Sequence, residues 1–116
     1  MPFVMSGEAP AGSSTIGTRS NTLVGKDNGG GNLTIVAAGI DPGAGLALHI
    51  HPNYEEATFV LEGNIEAVLE GETRILGPGD PLLALAGVEH TITNHSDKQA
   101  RVLAIYPTTT PERVFV

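Results

Sequence analysis

The chain has no cysteine and no tryptophan, and it sets only 6 Lys and Arg against 13 Asp and Glu. The lack of cysteine removes disulfides, thiolate metal sites and a cysteine nucleophile together. A reducing compartment fits, and we expect a cytoplasmic protein. The cations Arg19, Lys26, Arg74, Lys98, Arg101 and Arg113 are scattered, so no basic stripe can neutralise phosphates. With a net charge of −7, nucleic acid and anionic membranes are not expected partners. Apolar runs such as PLLALAG fall far short of the roughly 20 residues of a membrane helix. The opening MPFVMSGEAPAGSS lacks a basic start and a continuous apolar segment, so it does not read as a signal peptide. Helical patterning is missing too: no window carries apolar residues at i, i+3, i+4 and i+7.

What is present suits one small domain of 116 residues, 41% of them hydrophobic. A core this modest can lean on a partner subunit for stability. Residues 1–21 are rich in Gly, Ser, Thr and Ala without a lasting period, and are expected to form an N-terminal arm, mobile or packed on a partner. From 22 to 116, short β-favouring runs alternate with turn signals such as DNGGGN, DPGAG, EGN, GPGD and NHSDKQ. Strands are predicted at Thr22–Gly25, Leu33–Gly39, Leu46–His51, Thr58–Glu62, Ile65–Leu69, Thr73–Leu76, Leu82–Leu85, His90–Asn94 and Arg101–Tyr106. The fold class is therefore all-β, a sandwich or barrel. The glycines Gly29–Gly31 are followed by neither Lys-Ser/Thr nor a helix start, so they read as a hairpin loop rather than a phosphate cradle.

Two of the four histidines lie in HIHPNYEE, residues 49–56. Strand side chains alternate faces, so His49 and His51 point the same way with Cβ atoms roughly 6–7 Å apart. Two imidazoles at that separation can both reach one divalent ion, about 2.0–2.2 Å from each nitrogen. Leu48 and Ile50 then face the other way and serve packing. Pro52 ends the strand, because it lacks a ladder donor. A carboxylate opening the next antiparallel strand can complete one side of the shell. A bare His-X-His pair is weak, however, and the solvent face of a strand can carry the same pattern.

The longer pattern is more specific. From Gly43 the order is Gly, five residues, His49, one, His51, four, Glu56, six, Gly63. In GDPLLALAGVEHTITN, Gly79 precedes Gly87, which is followed by two residues, His90, three more and Asn94. These two segments resemble the paired motifs of the cupin superfamily, over most of residues 33–106, with the short spacing of small single-domain members. One departure is Leu85, where the second motif usually has proline; it bears on the stiffness of the turn before His90 and on pocket shape.

The resemblance implies a single-domain jelly-roll β-barrel over residues 22–116, with one metal held by His49, His51, Glu56 and His90. Glu55 is the rival carboxylate. The six-residue run to Gly63 and an inward face shared with Thr58 and Val60 favour Glu56. His95 reads as a solvated loop residue, and Asn94 as a strand-end residue bonding the backbone. Three imidazoles and a carboxylate suit one divalent transition ion, Fe, Mn, Ni, Zn, Co or Cu, without choosing among them. Ala47, Thr58, Val60 and Ile92 share the ligands' face, Tyr106 and Phe59 are candidate aromatic contacts, and no further Asp, Glu, Lys or Arg is clearly aimed inward. Such a pocket suits a small, fairly apolar substrate.

The expected function is that of a metal-dependent, dioxygenase-like oxidoreductase acting on a phenolic, enediol or dicarbonyl compound, with Glu56 also acting as a catalytic base. The alternatives are a metal-dependent isomerase, cyclase or decarboxylase, and a non-catalytic small-molecule-binding protein. The resemblance also implies a homodimer, formed by sheet extension or by exchange of the N-terminal arm or the tail ERVFV. Docking of that apolar tail on its own barrel is the alternative.

Overall fold

A computed structural model describes residues 11–15 and 17–116. Eleven strands follow in order: β1 Ala11–Thr15, β2 Thr18–Val24, β3 Thr34–Ile40, β4 His49–Ile50, β5 Glu56–Glu62, β6 Ile65–Leu69, β7 Glu72–Leu76, β8 Pro81–Ala84, β9 His90–Thr93, β10 Ala100–Tyr106 and β11 Val114–Phe115. Among the described residues a 3-10 turn, Lys26–Asn28, interrupts them. No helix among the described residues is long and apolar enough to cross a membrane.

The strands form two antiparallel sheets, ordered β1-β2-β3-β10-β5-β8 and β11-β4-β9-β6-β7. This is a jelly-roll sandwich; among the described residues no ladder joins the sheets into a closed barrel. β1 and the first half of β2 fall inside the segment expected as an arm. There β2 runs antiparallel to β3, from Thr18 opposite Ile40 to Val24 opposite Ile35, and β1 extends the same sheet. Residues 1–10 and 16 of that segment lie outside the described residues.

Alternation decides which side chains enter the space between the sheets. Buried positions recur every second residue: Glu56, Thr58 and Val60 on β5, Ile65 and Ala67 on β6, His90 and Ile92 on β9. Ile40, Val60, Ile65, Ala67, Ile92 and Val102 form the core. Fully buried aliphatic side chains such as Ile40 and Ile65 each contribute about 1.5–3 kcal/mol relative to exposure. Phe59 has the opposite parity and lies on the outer face, opposite Leu103 of β10 and Pro81 of β8. It therefore cannot be the cavity contact expected of it.

Two glycines let the sheets close around the site. A Cβ on Gly45 would sit 2.6 Å from the Ile92 carbonyl oxygen, so only glycine lets this segment bridge Thr93 and lead into β4. Gly63 turns β5 into β6 at φ +81°, where a Cβ would also come within 3.0 Å of Ala100. At the far end of β9, buried Asn94 donates its amide to the carbonyls of Ile40 and Lys98, at 2.9 and 2.8 Å. Its Oδ1 accepts from the backbone N–H and hydroxyl of Ser96. This is the strand-end role expected of Asn94, and it ties the β9–β10 loop to β3.

Candidate metal centre

The side chains of His49, His51, Glu56 and His90 are all buried and converge between the sheets. Each offers one ligand atom, and those atoms all lie within 4.8 Å of one another. His49 on β4 stands directly opposite His90 on β9 in the ladder. His51 follows two residues along on the same face, and Glu56 opens β5 in the other sheet. The cluster is therefore a bridge between the two layers, assembled from segments 34 residues apart at Glu56 and His90.

Backbone carbonyls set the orientation of each imidazole. Nδ1 of His49 donates to the Ala47 oxygen at 2.7 Å, Nδ1 of His51 to Glu112 at 2.6 Å, and Nδ1 of His90 to Val88 at 2.9 Å. A carbonyl only accepts, so these bonds require each Nδ1 to carry the proton. Neutral rings then present bare Nε2 lone pairs to the shared point, the tautomer a metal ligand needs. Thr58 completes the arrangement by donating its hydroxyl to Oε2 of Glu56 at 2.9 Å, leaving Oε1 facing the imidazoles.

Oε1 of Glu56 lies 2.7 Å from Nε2 of His51 and 3.0 Å from Nε2 of His90. With Nδ1 protonated on both rings, these would be acceptors facing acceptors, so positive charge must sit among them. Either the rings take extra protons or a cation does the work of several. Three imidazoles and one carboxylate fit a divalent transition ion, and the set contains no soft thiolate.

The titration pattern follows. Burial lowers His49 to about 4, only partly offset by its bond to Ala47 and reinforced by His90, so it stays neutral. Burial is the largest influence on His90 and lowers it, yet the bonds to Glu56 and Val88 together with the Glu56 charge outweigh burial and raise it above 6.5. Burial would raise Glu56, but bonds from His51, His90 and Thr58 hold its carboxyl well below the usual carboxylate range. Burial pushes the hydroxyls of Tyr54 and Tyr106 above the ordinary tyrosine value of 10.0, so both stay protonated.

The rivals fall outside the site. Glu55 is exposed, and His95 lies on the surface 3.3 Å from Glu66. The turn before His90 forms without proline at Leu85: Val88 donates to the Leu85 carbonyl, and Gly87 donates to that of His51 at 2.9 Å.

Beside the cluster opens a cavity of about 710 Å³, within the range of small-molecule sites. Thr58, Ala47, Ile92 and Tyr106 line it, as expected, while Val60 is sealed in the core. The expectation that no other charged residue borders it is corrected: Arg19, Glu112 and Arg113 form part of the wall. The tail reaches there because β11 pairs with β4 of the same chain, Val114 opposite Ile50 and Phe115 opposite His49. Strand parity cannot reveal which distant strand pairs with which, so ERVFV carried no sign of this beyond its apolar end. Tyr54 was also missed, although it sits between the second histidine and the carboxylate. Its hydroxyl donates to the Glu112 carbonyl at 2.8 Å and accepts from the Glu112 N–H at 2.6 Å, while its ring stacks on His51 at 5.1 Å.

A family profile described as a cupin domain matches residues 37–106. The chain belongs to the cupin family. Among curated relatives, it is 36% identical over 62 residues to the polyketide synthase CurC of Streptomyces cyaneus. That match covers 53% of this chain and 40% of CurC, so it spans less than half of the relative. Solved structures share the fold. RemF, a polyketide cyclase of Streptomyces resistomycificus, superposes with a TM-score of 0.82 at 22% identity, covering 100% of this cupin and 87% of RemF. KdgF of a Halomonas species gives 0.77 at 24% identity over 90% and 92%. A predicted oxalate decarboxylase of Thermotoga maritima gives 0.82 at 19% over 91% and 98%.

Two outcomes are expected. His51→Ala and His90→Ala should weaken metal binding at least about 10–100-fold, whereas His95→Ala leaves it unchanged; metal content after dialysis reads this, and equal content in all three variants would show that the ligands are others. Metal uptake should also expel the proton that His90 holds below its raised pKa. Proton release, measured by calorimetry in buffers of different ionisation heat, should grow as pH falls through that value toward 6.5. Buffer-independent heats across that range would contradict it.

Proposed function

We propose that this cupin is a metal-dependent enzyme acting on a small enolisable compound, a phenol, enediol or dicarbonyl. The convergence of four ligand-competent side chains, two of them (His51 and Glu56) on the wall of the cavity, carries this reading. A divalent metal held by His49, His51, Glu56 and His90 supplies Lewis acidity that polarises a substrate oxygen and lowers the pKa of the group bearing it. The chain's own residues do the rest. The three Nδ1–H bonds hold the imidazoles in one tautomer through the reaction, so little reorganisation is required. Glu56 is the proton acceptor: its carboxylate is ionised, it lines the cavity, and the Thr58 hydroxyl restrains its Oε2. Aliphatic walls keep bulk water from the reacting oxygen.

The product depends on what meets the enolate. Reaction with dioxygen gives the dioxygenase-like oxidation that the apolar cavity accommodates. The likeness to CurC, described as a polyketide synthase, favours a second reading: a cyclase, isomerase or decarboxylase that uses no oxygen. We also propose a homodimer, supported by the exposure of Val114, Phe115 and Val116, at 47%, 63% and 68%, after β11 has docked on its own chain.

Protein loaded with Fe(II), Mn(II) or Zn(II) should turn over members of a phenol, enediol and dicarbonyl panel. Oxygen uptake marks the first reading, and product formation under anaerobic conditions the second. Absence of turnover in both arms, with metal bound, would overturn the enzymatic proposal in favour of a binding protein.

A further inference from the structure

We propose that Arg113, carried on the C-terminal tail, is the anion-binding group of the cavity and selects small molecules that bear a carboxylate. This deepens the enzymatic reading above, because the carboxylate would lie beside the same four-residue cluster.

Geometry places the guanidinium. The antiparallel register sets Val114 opposite Ile50 and Phe115 opposite His49; extended by one residue beyond the ladder, it would set Arg113 opposite His51. Residues opposite one another on neighbouring strands share a face, so Arg113 and Phe115 project to the side that holds His49 and His51. The Phe115 ring, 6.3 Å from that of His49, agrees with this parity. Arg113 accordingly lines the cavity, as does Tyr106. The Tyr106 ring lies 5.3 Å from that of His51. The Arg113 charge is felt at His49, His90, Tyr54 and Tyr106, which places it beside the cluster.

The group is both held and available. Residue 112 is clamped by the bonds of its carbonyl to His51 and Tyr54 and of its N–H to Tyr54, which fixes the backbone from which Arg113 springs. Among the described residues, no carboxylate forms an ion pair with Arg113; the Glu112 carboxylate turns instead toward Asn53. Arg19, the other cavity-lining cation, is already 3.6 Å from Asp41. A guanidinium has five N–H donors. Two parallel N–H groups match a carboxylate in a bidentate pair, stronger than a neutral hydrogen bond. Elsewhere the wall mixes aliphatic side chains such as Val36, Ile92 and Val102 with the hydroxyl-bearing Thr18, Ser20, Thr22 and Thr34, none of which carries a charge. An acid entering the cavity would pair with Arg113 and present its remaining oxygen atoms to the cluster.

The test compares acetoacetate with methyl acetoacetate, and malonate with dimethyl malonate, pairs that differ in charge on one skeleton. The chain has no Trp and 2 Tyr, Tyr54 and Tyr106, so intrinsic tyrosine fluorescence reports the cavity in Zn(II)-loaded and metal-free protein alike. Wild type should bind each acid at least about tenfold more tightly than its ester. Arg113→Gln should abolish that preference with unchanged zinc stoichiometry and thermal unfolding, and Arg113→Lys should restore part of it. A wild type that binds neither acid, or an Arg113→Gln variant that keeps the preference while holding zinc, would overturn the proposal and leave the metal centre standing. An Arg113-dependent preference in a protein that takes up no zinc would uphold the anion site and instead sink the metal reading.

Discussion

Three imidazoles in this molecule donate their Nδ1 protons to backbone carbonyls, and nearly everything about the site depends on that. The bonds to Ala47, Glu112 and Val88 choose one tautomer for His49, His51 and His90, and Nε2 of His51 and of His90 meets Oε1 of Glu56. Rings that rotated freely could satisfy themselves locally. Pinned as they are, they place lone pairs against a carboxylate in a buried space, an arrangement that only positive charge stabilises. The acceptors are rigid because they are main chain: two lie two residues before their histidine, and the third belongs to a segment brought in from 61 residues away.

That third acceptor couples the site to the end of the chain. Glu112 holds His51 with its carbonyl, is held by Tyr54, and introduces the strand that forms part of the cavity wall. The tail therefore belongs to the site rather than to an appendage of the fold. Docking it on β4 protects an edge of the sheet, positions a metal-competent ring and delivers a guanidinium to the cavity in a single pairing. The apolar end of the same tail remains exposed, which leaves surface for a second copy.

Much of this was legible before any coordinates. Alternation alone put His49 and His51 on one face and separated Glu56 from Glu55, and the structure buries the first three while Glu55 is exposed. His90 needed the resemblance to the cupin motifs, because no local rule joins it to a strand 41 residues earlier. Strand positions from Leu33 to Tyr106 were recovered to within a few residues, except that the run to His51 shortens to His49–Ile50, and β11 was not among the predicted strands. What escaped depends on pairing between distant segments. Parity had already set Phe59 with Glu55 on the face opposite Glu56, so its candidacy as an aromatic contact conflicted with the alternation that β5 follows. Thr18–Asn21 reads as polar and irregular, yet it pairs along β3 because backbone hydrogen bonds ask little of side chains. Arg113 was invisible for the same reason: its position follows from a two-residue ladder at the end of the chain.

The account stands or falls on one ion meeting four named side chains from both sheets. X-ray absorption spectroscopy of the protein reconstituted with one equivalent of Zn(II) tests this directly. Scattering from three imidazoles and one carboxylate oxygen, with first-shell distances of about 2.0–2.2 Å, is the predicted result. A shell of oxygen alone, without the outer scattering of imidazole rings, would contradict it.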